Sequence, residues 1–239
     1  MGLLFFPGVI GPSLVALALT AYAEGRKGVS DLLKGIAKWG VSIKWYVFAI
    51  IYFVPVKLGA ALLYRLTMGE WPMFGAIPWY LMAIATLFST PVQAGEEIGW
   101  RGFALPRLAQ RFGLAFGSVI LGIIWASWHL PFFFIRGSDN FGQSFSMYLI
   151  AVTAISVAMA WLYSRTGGSL LLVMLMHAAI DNTAGIVRSP ISANAITNPF
   201  ALSNSPLAWY TVAILWICAA YFIVQMRGQC DCICIRRPL

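Results

Sequence analysis

The chain has 239 residues, of which 60% are hydrophobic and only 10% charged, with a formal net charge of +8. A soluble domain carries about 25% charged residues, so this composition leaves too little polar surface to clothe a water-soluble globule. The positive balance does not point to nucleic acid, because Lys and Arg collect in short segments between apolar runs, as the positive-inside rule expects.

A spanning helix needs roughly 20 mostly apolar residues, and such runs occur at 3–23, 45–66, 76–95, 113–135, 145–163, 168–187 and 206–226. The expected fold is all-α: a polytopic transmembrane helix bundle of about seven spanning helices, forming a single integral membrane domain over 1–239. The N-terminal Met-Gly-Leu-Leu-Phe-Phe has neither the basic region of a signal peptide nor the Ser or Thr of a myristoylation site. Residues 24–44, with Lys34, Lys38 and Trp39, read as an interfacial amphipathic helix. In the third run Pro91 predicts a kink, after which helix is expected to continue past Glu96 to about Leu105, before Pro106. The Ser-, Asn- and Pro-rich stretch 189–205 reads as a loop. The tail Cys230, Cys232, Cys234 lacks the paired spacing or nearby His of a zinc site. Acylation beside the membrane is the lesser alternative for these cysteines.

The cations give an expected orientation. Arg26, Lys27, Lys34, Lys38 and Lys44, then Arg101, Arg107 and Arg111, then Arg165, then Arg227, Arg236 and Arg237 fall on one face of seven alternating spans. Only Arg65, Arg136 and Arg188 fall in the opposite loops, and Lys57 lies inside a span. The richer face is expected to be cytoplasmic, with the N-terminus outside, the C-terminus inside and the cell membrane as location.

Chemistry is sought where polar groups ought not to be. Glu96, Glu97 and Asp181 lie in or against apolar helices, and both histidines of the chain, His129 and His177, lie inside apolar runs. Ionisable groups at membrane depth cost several kcal/mol and face a bundle interior or a wet cavity. Glu97 and Arg101 are four apart and can pair on one helix face, as can His177 and Asp181, and Trp125 and His129. Glu96 lies about 100° round the helix from Glu97 and is left free of that pairing. At about 1.5 Å rise per residue, Glu96 sits roughly 16 Å in from Arg107, His177 roughly 14 Å in from Gly168 and His129 roughly 24 Å in from Gly113. A carboxylate and two imidazoles meeting at one level suit general-base activation of water. The same donors are legitimate zinc ligands, although the HExxH signature is absent.

Glu96-Glu97-Ile-Gly-Trp-Arg101 resembles the EExxxR motif of the CPBP family, the CAAX proteases and bacteriocin-processing enzymes also called type II CAAX prenyl endopeptidase or Abi proteins. Trp125-Ala-Ser-Trp-His129 resembles the second motif of that family, an aromatic residue four before a histidine, and His177-Ala-Ala-Ile-Asp181 resembles the third. Gly102-Phe-Ala-Leu-Pro106 and Arg165-Thr-Gly-Gly-Ser169 also fit, and the likeness covers about 86–187. The resemblance implies an intramembrane endopeptidase with a catalytic core of about 76–187. Glu96 and His129 would activate water, His177 and Asp181 would stabilise the oxyanion, and Glu97 with Arg101 would hold the site together. Position 181 is Asp where the family pattern also allows Asn, and an ionised Asp cannot donate to an oxyanion; it is expected instead to orient His177. No cofactor is expected, with zinc as the alternative. The expected partners are the lipid bilayer and a peptide or protein presented at the membrane, carrying a prenylated C-terminus or a leader peptide, and not nucleic acid. A non-catalytic membrane scaffold and a transporter with a polar site remain as alternatives; against a transporter, there is no inverted repeat or pair of broken helices.

Overall fold

The computed structural model describes residues 2–188 and 198–227, with side chains from residue 8 onward. The Cys230–Cys232–Cys234 tail, Arg236, Arg237 and residues 189–197 of the expected loop lie outside the described residues. The described residues are helical, and their one strand-like feature is an isolated antiparallel bridge between Phe74 and Val187.

Among the described residues ten α-helices follow in chain order: α1 (Gly2–Leu33), α2 (Ile43–Ile51), α3 (Phe53–Met68), α4 (Trp79–Ser89), α5 (Ala94–Glu97), α6 (Leu105–Phe112), α7 (Leu114–Trp128), α8 (Phe145–Arg165), α9 (Leu170–Thr183) and α10 (Pro206–Arg227). Each expected run overlaps at least one of them. By length and apolarity α1, α8 and α10 can each cross a membrane, and α2 with α3 makes a fourth span bent by 41°. Pro55 accounts for that bend, since its ring crowds the carbonyl four residues back, at Ile51, and it offers no N–H. Three shorter apolar helices, Trp79–Ser89, Leu114–Trp128 and Leu170–Ile186, complete the set. Pro91 ends α4 outright, so the expected kink is a full break bridged by turn residues.

Two local expectations are corrected. The helical run breaks at Gly25, whose φ of 65° is open to glycine, so a second helical stretch follows it, but that stretch ends at Leu33 and does not extend over the expected 24–44. Helix does not stop at Pro106 either: Ile98–Ala104 form a π-helix that runs directly into α6. Leu105 N–H donates to Trp100, five residues back. The wider turn shifts the register just where the Pro106 ring would otherwise meet the carbonyl four residues before it.

Helix α8 is the centre of the bundle. Every residue from Val152 to Ala160 is buried, and Ala154, Ser156, Ala158 and Ala160 keep its surface low enough for neighbours on all sides. On α7, Gly122 lies so close that an added Cβ would sit 2.7 Å from Thr153 Cα. Ser156 donates to the Ser118 carbonyl at 2.9 Å, and Trp216 of α10 donates to Ile150 at 3.1 Å. The outer helices instead display apolar side chains, among them Phe88, Ile217 and Val224. Such surface is a liability in water and the proper boundary against hydrocarbon. The protein is an integral membrane protein.

The cations gather at one end. Arg107 pairs with Glu24 at 2.8 Å, Lys38 donates to the Gly167 carbonyl, and Arg165 donates to Gln225 at 3.1 Å. Thr67 and Tyr210, hydrogen-bonded at 2.9 Å, mark the other end.

Close approach of α1 to the segment carrying the two glutamates depends on Gly99, where a Cβ would lie 2.5 Å from the Pro12 backbone. Gly99→Ala is expected to cost about 1–3 kcal/mol by overpacking. The measurement is the thermal midpoint in detergent; an unshifted midpoint would show that α1 yields freely.

Candidate active site

The site begins with the placement of α5. Gly95 and Gly99 bracket Glu96 and Glu97 and bring this backbone against Val9 and Pro12 of α1. Ser13 locks the approach, donating to the Ala94 carbonyl at 2.7 Å and accepting from Gly99 N–H at 3.3 Å. The glutamates are thereby fixed inward, and each takes a partner four residues on: Trp100 for Glu96 and Arg101 for Glu97.

Glu97 and Arg101 are fully buried. Arg101 Nη1 donates to Glu97 Oε1 at 2.8 Å, Nη2 reaches the Met159 sulfur at 3.3 Å, and the guanidinium lies 4.1 Å from the Trp125 ring centroid. The same Glu97 oxygen accepts from His177 Nδ1 at 2.9 Å. One carboxylate thus ties α5, the π-helix and α9 together, with α7 closing over the guanidinium. The arrangement corrects one expectation: the His177 ring is oriented by Glu97, not by Asp181. Asp181 lies 3.7 Å from the other ring nitrogen, Nε2, and its Oδ2 accepts from Gln93 at 2.9 Å.

Glu96 has a different environment. Its Oε2 accepts from two indoles, Trp125 at 2.8 Å and Trp100 at 3.1 Å. Its Oε1 faces His129 Nε2 across 3.8 Å, too long for a direct hydrogen bond. His129 Nδ1 lies 2.9 Å from the Trp125 carbonyl, which can only accept, so Nδ1 carries a proton. Nε2 is then the nitrogen turned toward Glu96. Two unlike carboxylates therefore stand side by side: Glu97 compensated by Arg101, and Glu96 held by neutral donors with one oxygen open.

Glu96, Glu97, Arg101, His129, His177 and Asp181 are all brought together. Asn182 is turned away, donating to Ser89 at 3.0 Å and to Ala178. Among the described residues no three His, Cys, Asp or Glu side chains group as a metal ion would need. Three neighbours were not picked out from sequence as site groups. Trp100 donates to Glu96 and Gln93 holds Asp181, while the Tyr148 ring lies 5.8 Å from that of His129. The four-residue spacing from Glu96 could have pointed to Trp100, but nothing local marks Gln93 or Tyr148.

Residues 76–183 match the family model described as type II CAAX prenyl endopeptidase Rce1-like. The chain is also 22% identical over 190 residues to "CAAX prenyl protease 2" of Methanococcus maripaludis, an alignment covering 75% of this chain and 70% of the relative. Over these residues the chain is similar to the Rce1-like family. That likeness supports a membrane endopeptidase, and the matched span contains all six of the clustered residues.

Breaking one partner of a buried ion pair costs about 3–5 kcal/mol. Glu97→Gln, which leaves Arg101 without its counter-charge, is expected to lower the thermal midpoint sharply and activity with it. Glu96→Gln should leave the midpoint within a degree or two of wild type. Equal melting of the Glu97→Gln variant and wild type would contradict the structural part given to Glu97.

Proposed function

We propose that this protein is an intramembrane endopeptidase that hydrolyses a peptide bond near the membrane with water activated by Glu96 and His129. The observation carrying the proposal is the pair of atoms left uncommitted, Glu96 Oε1 and His129 Nε2, facing one another at 3.8 Å while their sister atoms are taken by Trp100, Trp125 and the Trp125 backbone. A water held between them can give one proton to Glu96 as its oxygen attacks the scissile carbonyl. The carbonyl becomes an oxyanion. His177, with Nδ1 held by Glu97, directs Nε2 toward the site, and in its imidazolium form Nε2–H donates to that oxygen. Collapse of the intermediate breaks the C–N bond, and Glu96 returns its proton to the leaving amine. Asp181 stands beside Nε2, 3.7 Å away.

The substrate class we propose is a peptide or protein presented at the membrane, with a prenylated C-terminus or a leader segment. "CAAX prenyl protease 2" is similar to this chain over most of both lengths, which supports the class. The catalytic core is assigned to about 76–187, within one integral membrane domain.

The mechanism requires no metal. Glu97, which would have to serve as base if Glu96, His129 and His177 were zinc ligands, is already bonded to Arg101 and His177. Activity is expected to survive exhaustive chelation, with metal analysis on the same purified sample. Stoichiometric zinc whose removal abolishes activity and whose return restores it would overturn the assignment. Glu96→Gln should retain less than about a tenth of wild-type activity, His177→Ala should lose about 10²–10³-fold, and Asp181→Asn should stay within about tenfold.

The cation-rich end of the bundle is proposed to be cytoplasmic, in the cell membrane, with the N-terminus outside and the C-terminus inside. In a variant with its native cysteines replaced by serine, Asn204→Cys should react with an impermeant thiol reagent applied to intact cells. Gln110→Cys should react only after permeabilisation. The opposite labelling pattern would invert the topology.

A further inference from the structure

An oxyanion is stabilised by preorganised hydrogen-bond donors aimed at the place where its charge develops. His177 Nε2 is one such donor here. Position 181, one turn further along α9, is Asp, which when ionised only accepts. The neighbouring donors are committed elsewhere: Gln93 to Asp181, Asn182 to Ser89 and Ala178, and the indoles of Trp100 and Trp125 to Glu96. A further neutral donor comes from a different helix. It is the hydroxyl of Tyr148, in the first turn of α8.

The Tyr148 ring is half-buried and held between His129 and Phe133, with ring centroids 5.8 Å and 5.2 Å away. Its hydroxyl makes no hydrogen bond among the described residues, and the charges that act on it are those of Glu96 and Asp181. These two carboxylates mark opposite parts of the proposed reaction. Glu96 faces His129 Nε2 at 3.8 Å, where water is activated, and Asp181 lies 3.7 Å from His177 Nε2, where the oxyanion is met. A hydroxyl that feels both is set toward the space those groups share. Its ring is clamped by two aromatic neighbours on the helix at the centre of the bundle, so little beyond rotation of the O–H remains to be ordered when charge develops.

We propose that Tyr148 is a further catalytic residue, whose hydroxyl donates to the oxyanion beside His177 Nε2–H and supplies the hydrogen bond that Asp181 cannot. The proposal rests on the endopeptidase reading and adds a residue to it. As the water oxygen bonds to the scissile carbon, the π pair of the carbonyl moves onto its oxygen, and the Tyr148 O–H meets that growing charge. A phenol titrates near pH 10 and keeps its proton at neutral pH, so Tyr148 stabilises the intermediate without giving the proton up. The pair returns to the carbonyl as the C–N bond breaks, while Glu96 hands its proton to the leaving amine. Asp181 is then free of any donor duty.

The test uses the purified full-length protein in detergent and two internally quenched peptides, one ending in S-farnesyl-Cys-Val-Ile-Ala and one an unprenylated apolar Leu-Ala peptide. Tyr148→Phe keeps the ring against His129 and Phe133 and removes only the oxygen. On whichever peptide is cleaved, kcat is expected to fall about 10²–10³-fold. KM should stay within about threefold, as for an interaction made only in the transition state, and the thermal midpoint should not move. Asp181→Asn, which brings an N–H to the neighbouring position, should recover at least about tenfold of kcat in the Tyr148→Phe background and give no gain in wild type. A Tyr148 that only packs against His129 would show neither the loss nor the rescue. Cleavage by Tyr148→Phe within about threefold of wild type, or a loss that Asp181→Asn leaves unrecovered, would overturn the inference and leave the endopeptidase assignment standing. A wild-type protein that cleaves neither peptide would remove that assignment, and the part given to Tyr148 with it.

Discussion

The architecture of the site turns on one buried carboxylate. Glu97 has no exposure to solvent, and its Oε1 is shared between a guanidinium and an imidazole from two other elements. In a low-dielectric interior such a trio is held only if its members stay together, because each one left alone carries a desolvation cost without compensation. The energetic stake fixes the distances among α5, the π-helix and α9 more tightly than apolar packing could. Leu and Ala side chains tolerate a sliding contact; a guanidinium bonded to one oxygen of a carboxylate does not. The small residues of α8 and α1 then make sense as the counterpart, allowing backbones to come close enough for the charges to meet.

With that frame rigid, chemistry is delegated to the neighbour. Glu96 differs from Glu97 by one position in sequence, yet it meets indole N–H groups in place of a cation. Neutral donors orient a carboxylate without cancelling its charge. The division between a structural and a reactive glutamate is thus written in the partners each one receives, and those partners sit at the same four-residue offset along the helix. Tryptophan does double duty here, since Trp125 donates from its ring to Glu96, accepts from His129 on its backbone and covers Arg101 with its face.

Much of this organisation was legible in the chain. The apolar runs located the helices, because a bilayer permits few other backbone solutions. The six clustered residues stood out as polar groups in apolar surroundings, and the Glu97–Arg101 pair followed from helical spacing. What could not be read was anything that depends on which helices face one another. The bond from His177 to Glu97 crosses 80 residues, and the bond from Gln93 to Asp181 crosses 88. The expectation that Asp181 would hold the His177 ring came from proximity in sequence and gave way to a partner on another helix. The shortness of α4, α7 and α9 was likewise hidden, since apolar runs continue past Ser89, Trp128 and Thr183, where the α-helices end.

The π-helix from Ile98 to Ala104 sets a phase as well as accommodating a proline. A π turn holds one residue more than an α turn, so it rotates everything after it, relative to everything before it, by nearly a third of a revolution. Glu96 lies upstream of that offset, and Arg107, which clasps Glu24 at the end of the bundle, lies downstream. Both can be correctly aimed only while the extra residue is present. The segment acts as a gear between the reactive interior and the charged rim of the protein. Its length in residues, more than their identity, keeps the two in register.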